Sequence, residues 1–171
     1  MRISIIGHAG SGKTTLANLI AKKFSIPHIQ LDDFWFEAGG VHVDQKTSEN
    51  ERNEIRAYVR ERALKAISSE SWVSDGFYPR IQTEIAQKAD VLVYLDVPLW
   101  RRLLNHAQRI LKPSSRNLKL KIWHELSFFR EIVRRNYANK TKHMKFLSDN
   151  QDKVVVLHSR AQIKVFLETL H

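Results

Sequence analysis

The chain has 171 residues, 43% hydrophobic and 27% charged, enough for one well-buried core and close to the usual size of a single domain. It contains no cysteine, which excludes disulfides and thiolate metal sites, and no stretch approaches the roughly 20 apolar residues that span a bilayer. Its 28 Lys and Arg against 18 Asp and Glu give a formal charge of +10, so it either attracts polyanions or carries a solvated basic face.

The first element is a short apolar strand, Arg2 to Ile6, entered without a cleavable signal pattern, so a soluble cytoplasmic protein is expected. The strand delivers the chain to Gly7-His8-Ala9-Gly10-Ser11-Gly12-Lys13-Thr14, which matches GxxxxGK[ST] in the strand, loop and helix context of a phosphate-binding P-loop. Gly7, Gly10 and Gly12 permit the turns that aim successive N–H groups at phosphate oxygens. Lys13 supplies a mobile positive charge for the β- and γ-phosphates and Thr14 a hydroxyl for Mg²⁺, while the helix opening at Lys13 sets its positive end under the anion. ATP and Mg²⁺ are therefore the expected ligands, held by residues Gly7 through Thr15. The helix runs over 13–24, with Leu16, Leu19, Ile20 and Phe24 as its apolar stripe.

A second strand, His28 to Leu31, leads into Asp32-Asp33-Phe34-Trp35-Phe36. From Phe34 to Gln45 the chain shows no clear period and reads as a long connection, of the kind that carries ligands at the C-terminal edge of a parallel sheet. Paired carboxylates before aromatic rings suit a phosphate acceptor. Asp32 or Asp33 would orient or deprotonate an attacking hydroxyl, and Phe34, Trp35 or Phe36 would stack on a flat ring. Packing of the aromatics against the next helix, and capping or solvation of one aspartate, are the alternatives. That helix extends from about Ser48 to Ser69 and is followed by a strand, Trp72 to Ser74, that ends in Asp75-Gly76. Asp75 is placed to supply the carboxylate for Mg²⁺. Asp96, after the strand Val91 to Leu95, is the alternative, and it equally suits capping of the helix that begins near Pro98.

Further helices are expected over 82–87, 99–111, 118 to about 147 and 161–170. The polar break Lys112 to Asn117 separates two of them, and a strand runs from Val154 to Leu157. This alternation describes an α/β domain with a mostly parallel sheet. Basic residues concentrate between 100 and 146. They would neutralise a transferring phosphoryl group, with Arg130 and Arg134 on one helix face, or form a phosphate-contacting surface for nucleic acid over 101–145.

Asp75-Gly76-Phe77-Tyr78-Pro79-Arg80, followed by Ala89-Asp90 and Val93-Tyr94-Leu95-Asp96-Val97-Pro98, is similar to the Asp-Gly-Phe-Pro-Arg segment and following strand of adenylate kinases, with Tyr78 as an extra residue. Together with Leu31-Asp32, Trp72 through Arg80 and Val154 through Arg160, it makes nearly the whole chain resemble the adenylate-kinase-related bacterial DNA topology modulation proteins. The Asp-Asp-Phe segment also resembles that of some nucleoside kinases. The resemblance implies a P-loop three-layer α/β sandwich with a five-stranded parallel sheet in order 2-3-1-4-5. It further implies a single domain over 1–171 and a short helical lid over about 109–135. Arg80 would contact an acceptor phosphate, and Arg109 would be a phosphate-binding arginine at the lid entrance. Asn105 stands where an arginine is expected, with Arg101 or Arg102 as substitutes. The implied activity is Mg²⁺-dependent transfer from ATP to a nucleotide or nucleoside, with Lys13, Asp32, Arg109 and Arg134 catalytic and Asp32, Asp33, Trp35 and Arg80 on the acceptor. A nucleoside would rely on the aspartates and a monophosphate on Arg80. The alternative is an ATP-binding protein associated with nucleic acid and having weak or no small-molecule kinase activity.

Overall fold

Five short apolar segments form the strands β1 (Arg2–Gly7), β2 (His28–Gln30), β3 (Trp72–Asp75), β4 (Val91–Leu95) and β5 (Val154–Leu157). They lie in one parallel sheet in the order β2-β3-β1-β4-β5, as expected. The computed structural model describes residues 1–40, 47–111 and 140–170. Its helices are α1 (Lys13–Phe24), α2 (Leu31–Glu37), α3 (Glu49–Ala66), α4 (Gln82–Lys88), α5 (Leu99–Leu111), α6 over 140–148 and α7 (Arg160–Thr169). Ile3, Ile5, Val73, Leu92 and Val93 are wholly buried, as residues of strands covered on both faces should be. The edge strand β5 departs from this rule, because its Val156 remains 41% exposed.

The chain divides into two compact units, Met1–Ile6 with Lys13–Val93, and Gly7–Gly12 with Tyr94–His171. In the first unit, β3 pairs with β1 and with β2, and the register sets Asp75 beside both Ile5 and Gln30 at the strand ends. Leu16, Ala17 and Ile20 bury one face of α1, but Leu19 is turned outward and is 48% exposed. The helix α3 begins with a reciprocal capping box in which Ser48 and Glu51 satisfy each other's backbone N–H groups.

The segment after β2 corrects the sequence reading. Leu31 does not end the strand, and Phe34 to Glu37 is not irregular, because Leu31–Glu37 forms a helix. Leu31 is fully buried and anchors the turn, while Asp32 and Asp33 lie in the first turn, where a carboxylate complements the helix dipole. Seven residues make two turns, too few for a helical period to stand out. Glu37 at the end of this helix accepts hydrogen bonds from Tyr58 (3.2 Å) and Arg62 (3.4 Å) of α3.

In the second unit, the Asp96 N–H donates to the Leu157 carbonyl (3.0 Å). A 3₁₀ turn, Gln151–Lys153, precedes β5, and the Ser159 side chain caps α7 by accepting from the Gln162 N–H (3.2 Å). The helix α6 falls in the last part of the long helix expected over 118–147, and positions 118–139 lie outside the described residues. Among the described residues, no helix is long and apolar enough to cross a membrane.

Candidate functional site

In the first unit, α1, β2 and β3 converge on one carboxylate. The Thr14 hydroxyl donates to Asp75 Oδ2 at 2.5 Å, and His28 Nε2 lies 3.1 Å from Asp75 Oδ1. The other ring nitrogen of His28 is 3.0 Å from Asn18 Oδ1, on α1 one turn beyond Thr14. Asp75 is only 6% exposed, so both of its oxygens are fixed by neighbours in a largely dry setting. A hydroxyl and a carboxylate are hard oxygen donors. Mg²⁺ keeps several waters and takes one or two protein oxygens with substrate phosphates, so the donor set fits that ion. Among the described residues, no group of three or more His, Cys, Asp or Glu is arranged as a metal cage. His28 and Asn18 escaped the sequence reading. Asn18 could have been found from its four-residue spacing to Thr14, whereas His28 becomes visible only through the strand register.

The expected acceptor residues also lie in this unit. Asp32 accepts a hydrogen bond from the Tyr78 hydroxyl (2.8 Å), and Asp33 accepts one from Gln30 Nε2 (2.9 Å). Tyr78, the residue extra to the adenylate kinase segment, thus links the exit of β3 to the start of α2. Its ring is 6.5 Å from that of Trp35, and a methyl group at Gly40 would lie 2.3 Å from the Trp35 indole, so Trp35 packs back on the turn that follows its own helix. The Arg62 guanidinium covers Phe34 at 5.5 Å, while Phe36 is 57% exposed. Arg80 is exposed, Thr15 is exposed and Lys13 is half-buried.

The second unit holds the P-loop residues Gly7–Gly12. Within it the Ser11 N–H donates to the His8 carbonyl (3.2 Å), and Asn105 Nδ2 of α5 donates to the Gly10 carbonyl (2.8 Å). The His8 ring lies 4.8 Å from the buried ring of His143 on α6. A cavity of about 490 Å³ opens here, lined by Ser11, Trp100, Arg101, Leu104, Asn105 and His158 among others. Of the two arginines considered as substitutes at the donor, Arg101 lines this cavity. Arg102 is 3% exposed, and its burial lowers the guanidinium pKa from its ordinary value, against the opposing pull of Tyr94 and Asp96. Asp96 pairs with His158 at 3.3 Å, both about half-exposed, so Asp75 is the carboxylate that holds the Thr14 hydroxyl.

A family model described as an AAA domain matches residues 6–117, a span that carries the P-loop, Asp75 and Asn105. An adenylate kinase of Thermosynechococcus vestitus is 30% identical over 138 residues, covering 68% of this chain and 71% of that enzyme. The chain belongs to the AAA domain family of adenylate-kinase-related P-loop kinases. An adenylate kinase of Encephalitozoon cuniculi is 30% identical over 110 residues, 56% of this chain and 59% of the enzyme, so the chain spans little more than half of that relative. A shikimate kinase structure from Bacteroides thetaiotaomicron aligns over 98% of this chain and 94% of its own, with 22% identity and a TM-score of 0.55, and shares the fold. P-loop kinases use ATP with Mg²⁺, and the loop, the Thr14 hydroxyl and the Asp75 carboxylate are parts that such chemistry requires. Two of the residues expected to act on phosphate are not placed. Arg134 and the side chain of Arg109 lie outside the described residues, as do most of the expected lid over 109–135 and positions 112–139 of the basic segment 101–145.

Proposed function

We propose that this P-loop kinase is a single cytoplasmic domain over 1–171 that transfers the γ-phosphoryl group of ATP to a small acceptor, a nucleotide or nucleoside. The observation that carries the reading is the Thr14 hydroxyl on Asp75 at 2.5 Å, at the head of the helix that the P-loop opens. Lys13 and the loop N–H groups bind the β- and γ-phosphate oxygens and take up charge as the loose transition state forms. Thr14 and Asp75 would hold Mg²⁺, which when bound neutralises phosphate charge and orients the transferring group. The cavity beside Ser11, with the flat surfaces of Trp100 and Arg101 in its wall, suits the donor base. On the acceptor side, Tyr78 fixes one oxygen of Asp32 and leaves the other for an acceptor hydroxyl. The acceptor oxygen bonds to the γ-phosphorus, the bond from phosphorus to the β–γ bridging oxygen breaks, ADP leaves, and the acceptor proton passes to Asp32 or to water. A monophosphate acceptor would instead be held by Arg80. The segments Leu31-Asp32, Trp72 through Arg80 and Val154 through Arg160 support a finer assignment beside the bacterial DNA topology modulation proteins.

ADP release from MgATP across nucleosides, nucleoside monophosphates and other small hydroxyl compounds tests the proposal, with Lys13→Ala as the blank. One acceptor class is expected to turn over, and Lys13→Ala to lose about 100-fold or more in rate while keeping its fold. Near-native turnover by Lys13→Ala would overturn the P-loop mechanism. Loss of transfer in Asp32→Asn selects the hydroxyl acceptor, and loss in Arg80→Ala the phosphorylated one.

A further inference from the structure

The P-loop turn His8–Ser11 is held at both ends by side chains distant in sequence. At one end, Asn105 Nδ2 donates to the Gly10 carbonyl oxygen at 2.8 Å. The peptide joining Gly10 to Ser11 is planar, so its C=O and N–H point in opposite directions, and the N–H is itself committed to the His8 carbonyl at 3.2 Å. Both polar groups of this one peptide are therefore tied. Rotation of the plane would swing a carbonyl oxygen, with its partial negative charge, toward the place where the phosphates bind. At the other end of the turn, the His8 ring meets the His143 ring of α6 at 4.8 Å. His143 is 2% exposed, and the Tyr94 ring stands edge-on to it at 5.8 Å. Asn105 also shares the wall of the 490 Å³ cavity with Ser11, so the anchor borders the space a ligand would fill.

We infer that Asn105 and His143 are positioning residues that set the P-loop in its anion-binding form before the donor arrives. The physical need lies in the composition of the loop. Three glycines in six residues leave the loop with many conformations, and each must be given up when phosphate binds unless the protein has removed it beforehand. Asn105 does this through a hydrogen bond and His143 through ring packing. Both act on the loop backbone and its His8 side chain, not on the reacting atoms. The inference rests on ATP binding by the loop, as in the proposed function, but not on any choice of acceptor.

The test measures MgATP affinity by calorimetry on the full chain, together with the KM for donor and for acceptor and the thermal midpoint. Loss of one neutral hydrogen bond in Asn105→Ala is expected to weaken ATP about three- to tenfold in Kd and in donor KM, with acceptor KM unchanged and the thermal midpoint lowered by no more than about 3 °C. Asn105→Asp, of the same size but with an acceptor facing the Gly10 carbonyl, should lose more than Asn105→Ala. His143→Ala should weaken ATP similarly, and His143→Phe, which keeps a ring against His8, should recover the part of the loss that ring packing carries. Wild-type ATP affinity in Asn105→Asp would overturn the inference, as would a fall in thermal midpoint that accounts for the whole effect. If His143→Ala does not fold, Asn105→Asp and His143→Phe still decide the matter. ATP binding without transfer to any acceptor would overturn the proposed function and leave this inference standing, whereas no ATP binding by the wild type would overturn both.

Discussion

Two glycines of the P-loop should respond to the same substitution for different reasons. A methyl group on Gly7 would lie 2.8 Å from the Leu95 carbonyl oxygen and 3.0 Å from Ser11 Oγ, and the residue has φ of +150°. The nearest obstacle is backbone and cannot rotate away. Gly12 has φ of +95°, but a methyl group there meets nothing within 4 Å. Overpacking costs about 1–3 kcal/mol and a positive φ about 1–2 kcal/mol, while the loss of unfolded-state freedom returns about 0.4–1 kcal/mol. Gly7→Ala should therefore destabilise by about 3 kcal/mol and Gly12→Ala by about 1 kcal/mol. For a chain of this size these translate to falls in Tm of about 9 °C and about 3 °C. The space above Gly12 is where phosphate oxygens would approach the loop, so Gly12→Ala should lose ATP affinity out of proportion to its stability. Thermal unfolding of the two variants, with ATP titration of each at 25 °C, checks both statements. A Gly7→Ala protein as stable as the wild type, or equal Tm losses in the two variants, would refute the steric argument.

Asp75→Asn keeps the shape of the carboxylate and can still accept from Thr14, so its stability should fall by no more than about 1 kcal/mol. Its rate should fall about 100-fold and its half-saturating Mg²⁺ concentration should rise. A magnesium titration of the rate reads both, and a rate within threefold of wild type would contradict the role given to Asp75. Far from the site, Arg2 donates to Asp90 Oδ1 through Nη2 (2.6 Å) and Nε (3.2 Å), and its backbone N–H donates to Oδ2 (2.8 Å). Side-chain hydrogen bonds from Arg2, helped by its backbone N–H and its charge, hold the Asp90 pKa below its ordinary value against desolvation, which raises it. A pKa depressed by folding adds stability that is present above the unfolded carboxylate pKa of about 3.9 and is lost as pH falls through the folded value. Both side chains are more than two-fifths exposed, so solvent screens the effect. Denaturant midpoints should show wild type above Asp90→Asn by a constant margin from pH 7 to 5, narrowing below about pH 4. A margin unchanged to pH 2 would show that the ionised form is not what matters.

The parts of the site legible in the sequence are those that short-range geometry determines. The P-loop is eight consecutive residues between a strand and a helix, so its phosphate-facing backbone follows from local turns and the pattern alone identifies it. Asp75 was legible because an acidic residue at the end of an apolar strand falls at the edge where parallel sheets bind ligands. The short helix Leu31–Glu37 was not, since two turns carry too little periodicity to compete with the aspartate and aromatic signals. Only tertiary structure could bring His28 to Asp75 across 47 residues, Tyr78 to Asp32 across 46, or Asn105 to Gly10 across 95. Each of these contacts depends on which strands are neighbours, in what register, and on how helices pack beside them. Local sequence thus determined the glycine-rich loop and the carboxylate at the strand end, while the packed fold decided which side chains hold those groups still, because a hydrogen bond of a few ångströms between distant residues exists only after the chain has closed the loop between them.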